Sequence, residues 1–167
     1  MQGSTPEKEG ARCLDGGKGK AARALFEQGA NCAQAVFVVY AEEMGLSRET
    51  ALCLSSPLGG GMGRLREVCG AVSGMLMAAG LKYGYADLND REAKKTTYRI
   101  TQDLVGQFRQ ENGSIICREL LGPAGRDTSP EPTARTPEFY KKRPCPDLIE
   151  RAAAILENYR PDFDGKE

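Results

Sequence analysis

GGGMGRLREVCGAVSG, residues 59–74, is the stretch around which the rest of the chain is organised. Six of its sixteen residues are glycine, and its one cysteine, Cys69, stands where a helix is predicted to begin. Backbone with so few side chains lets another group approach the main chain closely, and the free N–H groups at a helix start favour negative charge. The stretch therefore predicts a place where a bound group or a neighbouring helix lies against bare backbone. The candidate cofactor-binding positions are Gly60, Gly61, Gly70 and Gly74.

Length and charge exclude several kinds of protein. The chain has 167 residues, which is enough for one domain with a hydrophobic core. Its 23 basic and 23 acidic residues give a net charge of zero, so no overall field draws it to nucleic acid or to an anionic membrane. The first twenty residues contain no apolar segment of the kind found in signal peptides or membrane spans. We therefore expect a cytoplasmic protein with no nucleic-acid partner and no membrane insertion.

Six cysteines and the absence of histidine restrict the chemistry further. In a reducing compartment cysteines bind metals, carry out redox chemistry or are simply buried, and they rarely form structural disulfides. Without histidine the chain cannot use Ser-His-Asp or Cys-His catalysis, mixed Cys/His zinc sites or covalent c-type haem. Any metal would be held by thiolate, carboxylate or backbone oxygen.

Apolar residues recur with helical spacing through almost the whole chain, and no segment alternates as a strand would. The prediction is an all-α, single-domain bundle of six to seven helices with a buried central helix at about 66–82. Residues 18–160 are expected to form the domain, 1–17 a polar leader and 161–167 a tail. Residues 123–144, rich in proline, are expected to form an irregular loop that is longer than most loops in compact domains.

Helix starts can be placed from capping residues. Asn31 with Gln34 predicts a capping box for a helix that runs from Cys32 to about residue 44, and Asn89 with Glu92 predicts another for a helix at about 90–110. Further helices are expected at about 18–28, from the cap Ser47 to about Pro57, from the cap Ser114 onward, and from the cap Cys145 onward.

Four cysteines share a position at or within the first turn of a predicted helix. The partial positive charge at helix N-termini stabilises thiolate and lowers its pKa. The spacing between the four matches no metal-binding knuckle, so only the fold could bring them together. Cys53 is predicted to be buried inside an apolar helix, and Cys13 lies in the polar leader with no expected role. The four cysteines are Cys32, Cys69, Cys117 and Cys145.

The residues around these four cysteines resemble a known family, the redox-active proteins named for a C, GCAxxG, C, C pattern. The resemblance covers most of the chain, from LFEQGANCAQAV around Cys32, through SPLGGGMGRLREVCGAVSGMLMAAGLKYG around Cys69, to SIICRELLG around Cys117 and CPDLIERAAAILE around Cys145. The glycine motif here reads CGAVSG, with cysteine before glycine, which departs from the family's literal name. The resemblance implies that these four are the family's cysteines and that they have a redox role.

The domain also looks similar to part of the split-Soret cytochromes, whose members bind haem and an iron–sulfur centre. Without histidine this chain could keep at most the iron–sulfur part. The resemblance therefore implies an iron–sulfur cluster held by the four cysteines as metal ligands, with electron transfer to a redox partner protein that the sequence does not identify. Thiolates are the normal ligands of such clusters.

Two other functions stay open at this point. One is thiol–disulfide redox chemistry without metal, in which Cys69 or Cys145 is a low-pKa thiolate. Arg64 and Arg66 would support the first thiolate, and the basic run 141–143 the second. The other is a structural zinc site of four thiolates, or merely buried cysteines, in a non-catalytic helical protein. An oxidoreductase activity and a homodimer are compatible with the sequence, which decides neither.

Overall fold

The computed structural model of the protein describes residues 17–163, so the predicted leader with Cys13 and the end of the tail lie outside the described residues. Within the described part the structure is helical, and its one strand-like pairing is an isolated antiparallel bridge between Val68 and Ile116. The prediction of an all-α fold is therefore confirmed. The helices are α1 (Gly17–Glu27), α2 (Cys32–Ala41), α3 (Arg48–Ser55), the single distorted turn α4 (Gly59–Met62), α5 (Gly70–Tyr83), α6 (Arg91–Asn112), α7 (Cys117–Leu121), α8 (Pro137–Lys142) and α9 (Cys145–Asn158).

The core lies between α2, α5 and α9, with α1 packed across α2 and α9. The backbones of α2 and α5 approach closely at a glycine: a Cβ added at Gly74 would lie 2.5 Å from the carbonyl oxygen of Ala33. The long helix α6 covers this core with one apolar stripe, Ile100, Leu104 and Phe108. No helix within residues 17–163 combines the length and the apolar character that crossing a bilayer requires.

The central helix α5 begins later than predicted and is not buried along its whole length. It starts at Gly70 rather than near residue 66, because residues 66–69 pair with residues 115–118 through backbone hydrogen bonds instead of forming a helical turn. At its C-terminal end Leu81 is 41% exposed. The prediction of a buried central helix therefore holds for most of α5 but not for its C-terminal end.

The capping box of α2 is confirmed: the side chain of Asn31 accepts from the N–H of Gln34, and the side chain of Gln34 accepts from the N–H of Asn31. The helix itself ends at Ala41, about three residues earlier than predicted. For α6 the predicted cap was wrong by one residue, since the side chain of Asp90 rather than Asn89 accepts the hydrogen bond from the N–H of Ala93.

Two other helix starts also differ from the prediction. Cys117 is the first residue of α7 rather than the third, and Cys145 is the first residue of α9, with Pro144 at the cap. The prediction for Cys53 was wrong: this thiol is exposed, because α3 buries only Ala51 and Ser55.

The segment predicted as an irregular loop is only partly irregular. It contains a 3-10 turn at Gly122–Gly125 and the short helix α8. Residues 126–136 between them have no helical structure. We call residues 126–136 the roof segment, because they cover the cavity described next.

Candidate functional site

The structure brings together the four cysteines that begin helices. All four line one cavity of about 450 Å³, which we call the cysteine cavity. Cys69 and Cys117 are buried, with 5% and 6% of their surface exposed, while Cys32 and Cys145 are half-buried. The cavity lies at the N-terminal ends of α2, α5 and α9. Cys53 does not line it.

Cys69 and Cys117 lie on two chain segments that pair through their backbones. The N–H of Cys69 donates to the carbonyl of Ile115 at 2.8 Å, and the N–H of Cys117 donates to the carbonyl of Glu67 at 2.6 Å. These bonds flank the bridge between residues 68 and 116. Cys69 is the N-cap of α5, so its thiol stands at the positive end of that helix.

Cys32 is positioned by the glycine stretch. The N–H of Gly60 donates to its Sγ at 3.4 Å. A Cβ added at Gly70 would overlap the same sulfur, so α5 can pass this close to Cys32 only because residue 70 has no side chain. The side chain of Asn31, which caps α2, also donates to the carbonyl of Ser56 at 3.0 Å and ties the helix start to the 3-10 turn Ser56–Leu58 that precedes the glycine stretch.

The four candidate glycines have different positions. Gly60 lines the cavity, and its φ of +68° is one that glycine adopts without strain. Gly61 lies against Cys117, since a Cβ there would be 2.6 Å from the Cβ of that cysteine. Gly70 lies against Cys32, as described above. Gly74 is not among the residues that line the cavity; it forms the contact between α5 and α2.

Arg66 is buried beside Cys117, a position that the sequence analysis did not predict. It was expected to support a thiolate at Cys69, but its Nη1 lies 4.0 Å from the Sγ of Cys117. The side chain is 2% exposed, Nε donates to the carbonyl of Asp127 at 2.9 Å, and the buried Nη2 has no hydrogen-bond partner among the described residues. Its φ of +63° is uncommon for a side chain with a Cβ, and nothing in the local sequence signals it.

The cavity is lined by positive charge. Four arginines face it, and no acidic side chain of residues 17–163 does. Arg64 fastens the roof segment by donating to the carbonyl of Ser129 at 2.6 Å and to Oγ1 of Thr133 at 2.8 Å. Arg135 fastens its other end by donating to the carbonyls of Phe26 and Ala30 at 2.9 and 3.0 Å. The four are Arg64, Arg66, Arg135 and Arg143.

Burial opposes the low pKa that was expected for the thiol of Cys69 or Cys145. Burial raises the pKa of Cys69 well above its ordinary value and raises the pKa of Cys145 to about 12, and the neighbouring thiol of Cys32 adds to both shifts. Burial also raises the pKa of Cys117, against the opposing effect of the Arg66 guanidinium. The exposed lysines of the run 141–143 do not line the cavity, so only its arginine faces the thiols.

The spacing of the thiols bears on which metal group the site fits. Four sulfurs on one zinc ion lie about 3.8 Å from one another, as tetrahedral geometry and a Zn–S bond of about 2.3 Å require. Among residues 17–163 no set of three or more Cys, His, Asp or Glu side chains is grouped to hold a single metal ion. A polynuclear iron–sulfur cluster takes four thiolates as its ligands. The four thiols that line one cavity match that donor set in type and number.

One of the comparisons with known proteins identifies the family of the chain. The model of a family described as "Putative redox-active protein (C_GCAxxG_C_C)" matches residues 30–159, a range that contains all four cavity cysteines. No curated protein and no solved structure matches the chain significantly.

Proposed function

Because the chain belongs to the C_GCAxxG_C_C family of redox-active proteins, we propose that its four cavity cysteines hold an iron–sulfur cluster and that the protein transfers electrons. The observation that carries the proposal is the convergence of Cys32, Cys69, Cys117 and Cys145 on one cavity. A bound cluster would supply reversible one-electron chemistry. The protein's own residues would supply the ligands, the counter-charge and the shielding from water.

The charges around the cavity support this proposal. A cluster with four thiolate ligands is an anion, and burying an anion is costly unless nearby positive charge offsets it. The arginines that line the cavity and the N-terminal ends of α2, α5 and α9 provide that charge. Carboxylates, which would oppose it, are absent from the described lining.

The glycine stretch would supply a backbone hydrogen bond to one of the cluster's ligand sulfurs. The N–H of Gly60 already donates to the sulfur of Cys32, and N–H donors to ligand sulfur are among the features that set the reduction potential of iron–sulfur sites. The buried pair Cys69 and Cys117 would be shielded from water, and the half-buried Cys32 and Cys145 would face the surface. We propose that an electron-exchange partner approaches on the side of these two half-buried cysteines.

The direct test is to purify the protein without oxygen, record its visible spectrum, and measure iron, zinc and acid-labile sulfide. We expect a brown protein with stoichiometric iron and sulfide. Cys69→Ser and Cys117→Ser should lose most of both, whereas Cys53→Ser, at an exposed cysteine outside the cavity, should keep wild-type amounts. A protein that holds neither iron nor sulfide after anaerobic reconstitution would refute the proposal, and one zinc per chain would favour a structural site.

A further inference from the structure

Arg66 is a buried cation that makes no direct ion pair with a carboxylate within residues 17–163, although the exposed carboxylate of Asp127 acts on it through space. Its side chain lines the cysteine cavity and is 2% exposed, and its Nη2 has no hydrogen-bond partner in the described part of the chain. The partners it does have are uncharged: the carbonyl oxygen of Asp127 at 2.9 Å from Nε, and the sulfur of Cys117 at 4.0 Å from Nη1. A buried guanidinium in such surroundings is costly unless a bound group supplies negative charge.

Two more guanidinium groups converge on the same side of the cavity. Arg64 and Arg66 meet at Asp127, where the first binds the carboxylate at 2.9 Å and the second binds the backbone carbonyl. Arg64 and Arg143 meet at Thr133, where both donate to one hydroxyl oxygen, at 2.8 and 3.4 Å. Asp127 itself is exposed and does not line the cavity. The Asp127 carboxylate pairs with Arg64 from outside the cavity, so within the cavity the three like charges repel one another unless a further anion binds among them.

We propose that the cysteine cavity binds a small anion through Arg66 and Arg143, beside the four thiols. The planar fork of a guanidinium binds two oxygens at once, which suits an inorganic oxyanion or the carboxylate of a small organic acid. A volume of about 450 Å³ lies within the range of small-molecule sites and exceeds what a single ion fills.

This inference goes beyond the proposed function, because arginines rather than cysteines bind the anion and no cluster is needed for binding. An anion at this place would lie next to whatever redox group the cysteines carry. Oxygen-bearing anions are therefore the class of substrate or ligand that the cavity favours.

The first experiment measures anion binding to the metal-free protein by isothermal titration calorimetry with sodium phosphate, sodium sulfate and succinate at low ionic strength. We expect saturable binding of at least one of the three, weakened about tenfold or more in Arg66→Gln because a charged hydrogen bond is lost. Arg143→Gln should weaken binding as well, and Arg66→Lys should retain part of it. Arg48→Gln is the matched control, since Arg48 is exposed and pairs with Glu42 outside the cavity.

The second experiment locates the anion. Alkylation of Cys117 by uncharged iodoacetamide, followed by peptide mass spectrometry, should be slowed by the bound anion in the wild type but not in Arg66→Gln. Circular dichroism shows whether Arg66→Gln folds; if it does not, Arg143→Gln, at a half-buried position, takes its place in both experiments.

The outcomes separate this inference from the proposed function. Binding of phosphate or sulfate alone assigns the site to inorganic oxyanions, and binding of succinate alone assigns it to carboxylates. No saturable binding of any of the three, or equal affinity in Arg48→Gln, Arg143→Gln and Arg66→Gln, overturns the inference. Because the protein is metal-free throughout, a failure to load iron and sulfide leaves this result unaffected, and a failure to bind anions leaves the cluster proposal standing.

Discussion

Gly70→Ala should move Cys32 away from its place, although alanine forms helices better than glycine does. The substitution favours α5 by about 1 kcal/mol through helix propensity. Its Cβ would overlap the Sγ of Cys32 and lie 3.0 Å from the carbonyl oxygen of Leu58 and 3.2 Å from the nitrogen of Ala33. Overpacking of this kind costs about 1–3 kcal/mol. The free energy of unfolding should therefore fall by about 0–2 kcal/mol relative to the wild type.

Gly80→Ala provides the matched control, because it lies in the same helix and has no atom within 4 Å of an added Cβ. It should stabilise the protein by about 1 kcal/mol, so that the difference between the two variants measures the clash alone. Urea denaturation of the metal-free protein gives both free energies.

The chemical readout is the rate at which iodoacetamide alkylates Cys32. In Gly70→Ala this rate should rise, because the displaced thiol loses its hydrogen bond from Gly60, whereas Gly80→Ala should react as the wild type does. If both variants stabilise equally and Cys32 reacts at the wild-type rate in both, then the close approach of α5 to Cys32 is wrong, and so is the role assigned to the glycine.

Two further predictions concern stability. In the metal-free protein the free energy of unfolding should be constant up to about pH 8.5 and fall at higher pH. Above that pH a cysteine ionises in the unfolded chain but stays protonated in the folded protein if its folded-state pKa is raised. Each such cysteine lowers the free energy of unfolding by about 1.4 kcal/mol per pH unit. Urea denaturation between about pH 7 and 9.5 measures this slope, and a flat profile would contradict the raised pKa values of Cys69, Cys117 and Cys145. Tyr40→Phe should cost about 1 kcal/mol in the same assay, because the buried hydroxyl of Tyr40 donates to the carbonyl of Ala153; an unchanged midpoint would show that this bond contributes nothing.

The parts of the fold that depend on local chemistry could be predicted from the sequence. Helical spacing gave the all-α class, and the pair Asn31 and Gln34 gave the start of α2 to the residue, because a capping box is made within four residues of chain. The choice of four cysteines out of six came from their places near helix starts and from the family pattern. All four line the cavity, and Cys53, the other cysteine in the described part of the chain, does not.

The parts that depend on distant contacts could not be predicted. The start of α5 was placed too early, because residues 66–69 pair through their backbone with a segment almost fifty positions later in the chain. The burial of Cys53 was misjudged, since no element within residues 17–163 covers the side of α3 on which this thiol lies. The same holds for Arg66, whose left-handed backbone and contact with Cys117 arise only in the folded chain.

The left-handed backbone at Arg66 lowers the stability of the fold but places a cation beside the cysteine cavity. A residue with a Cβ in this conformation costs about 1–2 kcal/mol that glycine would not, and burying a guanidinium whose Nη2 has no hydrogen-bond partner among the described residues adds to that cost. A selection for heat resistance alone would therefore favour replacing Arg66 with an uncharged residue or glycine. Variants improved in that way would melt later and would lack the cation at the floor of the cavity, so a thermostable form of this protein should be examined first at position 66.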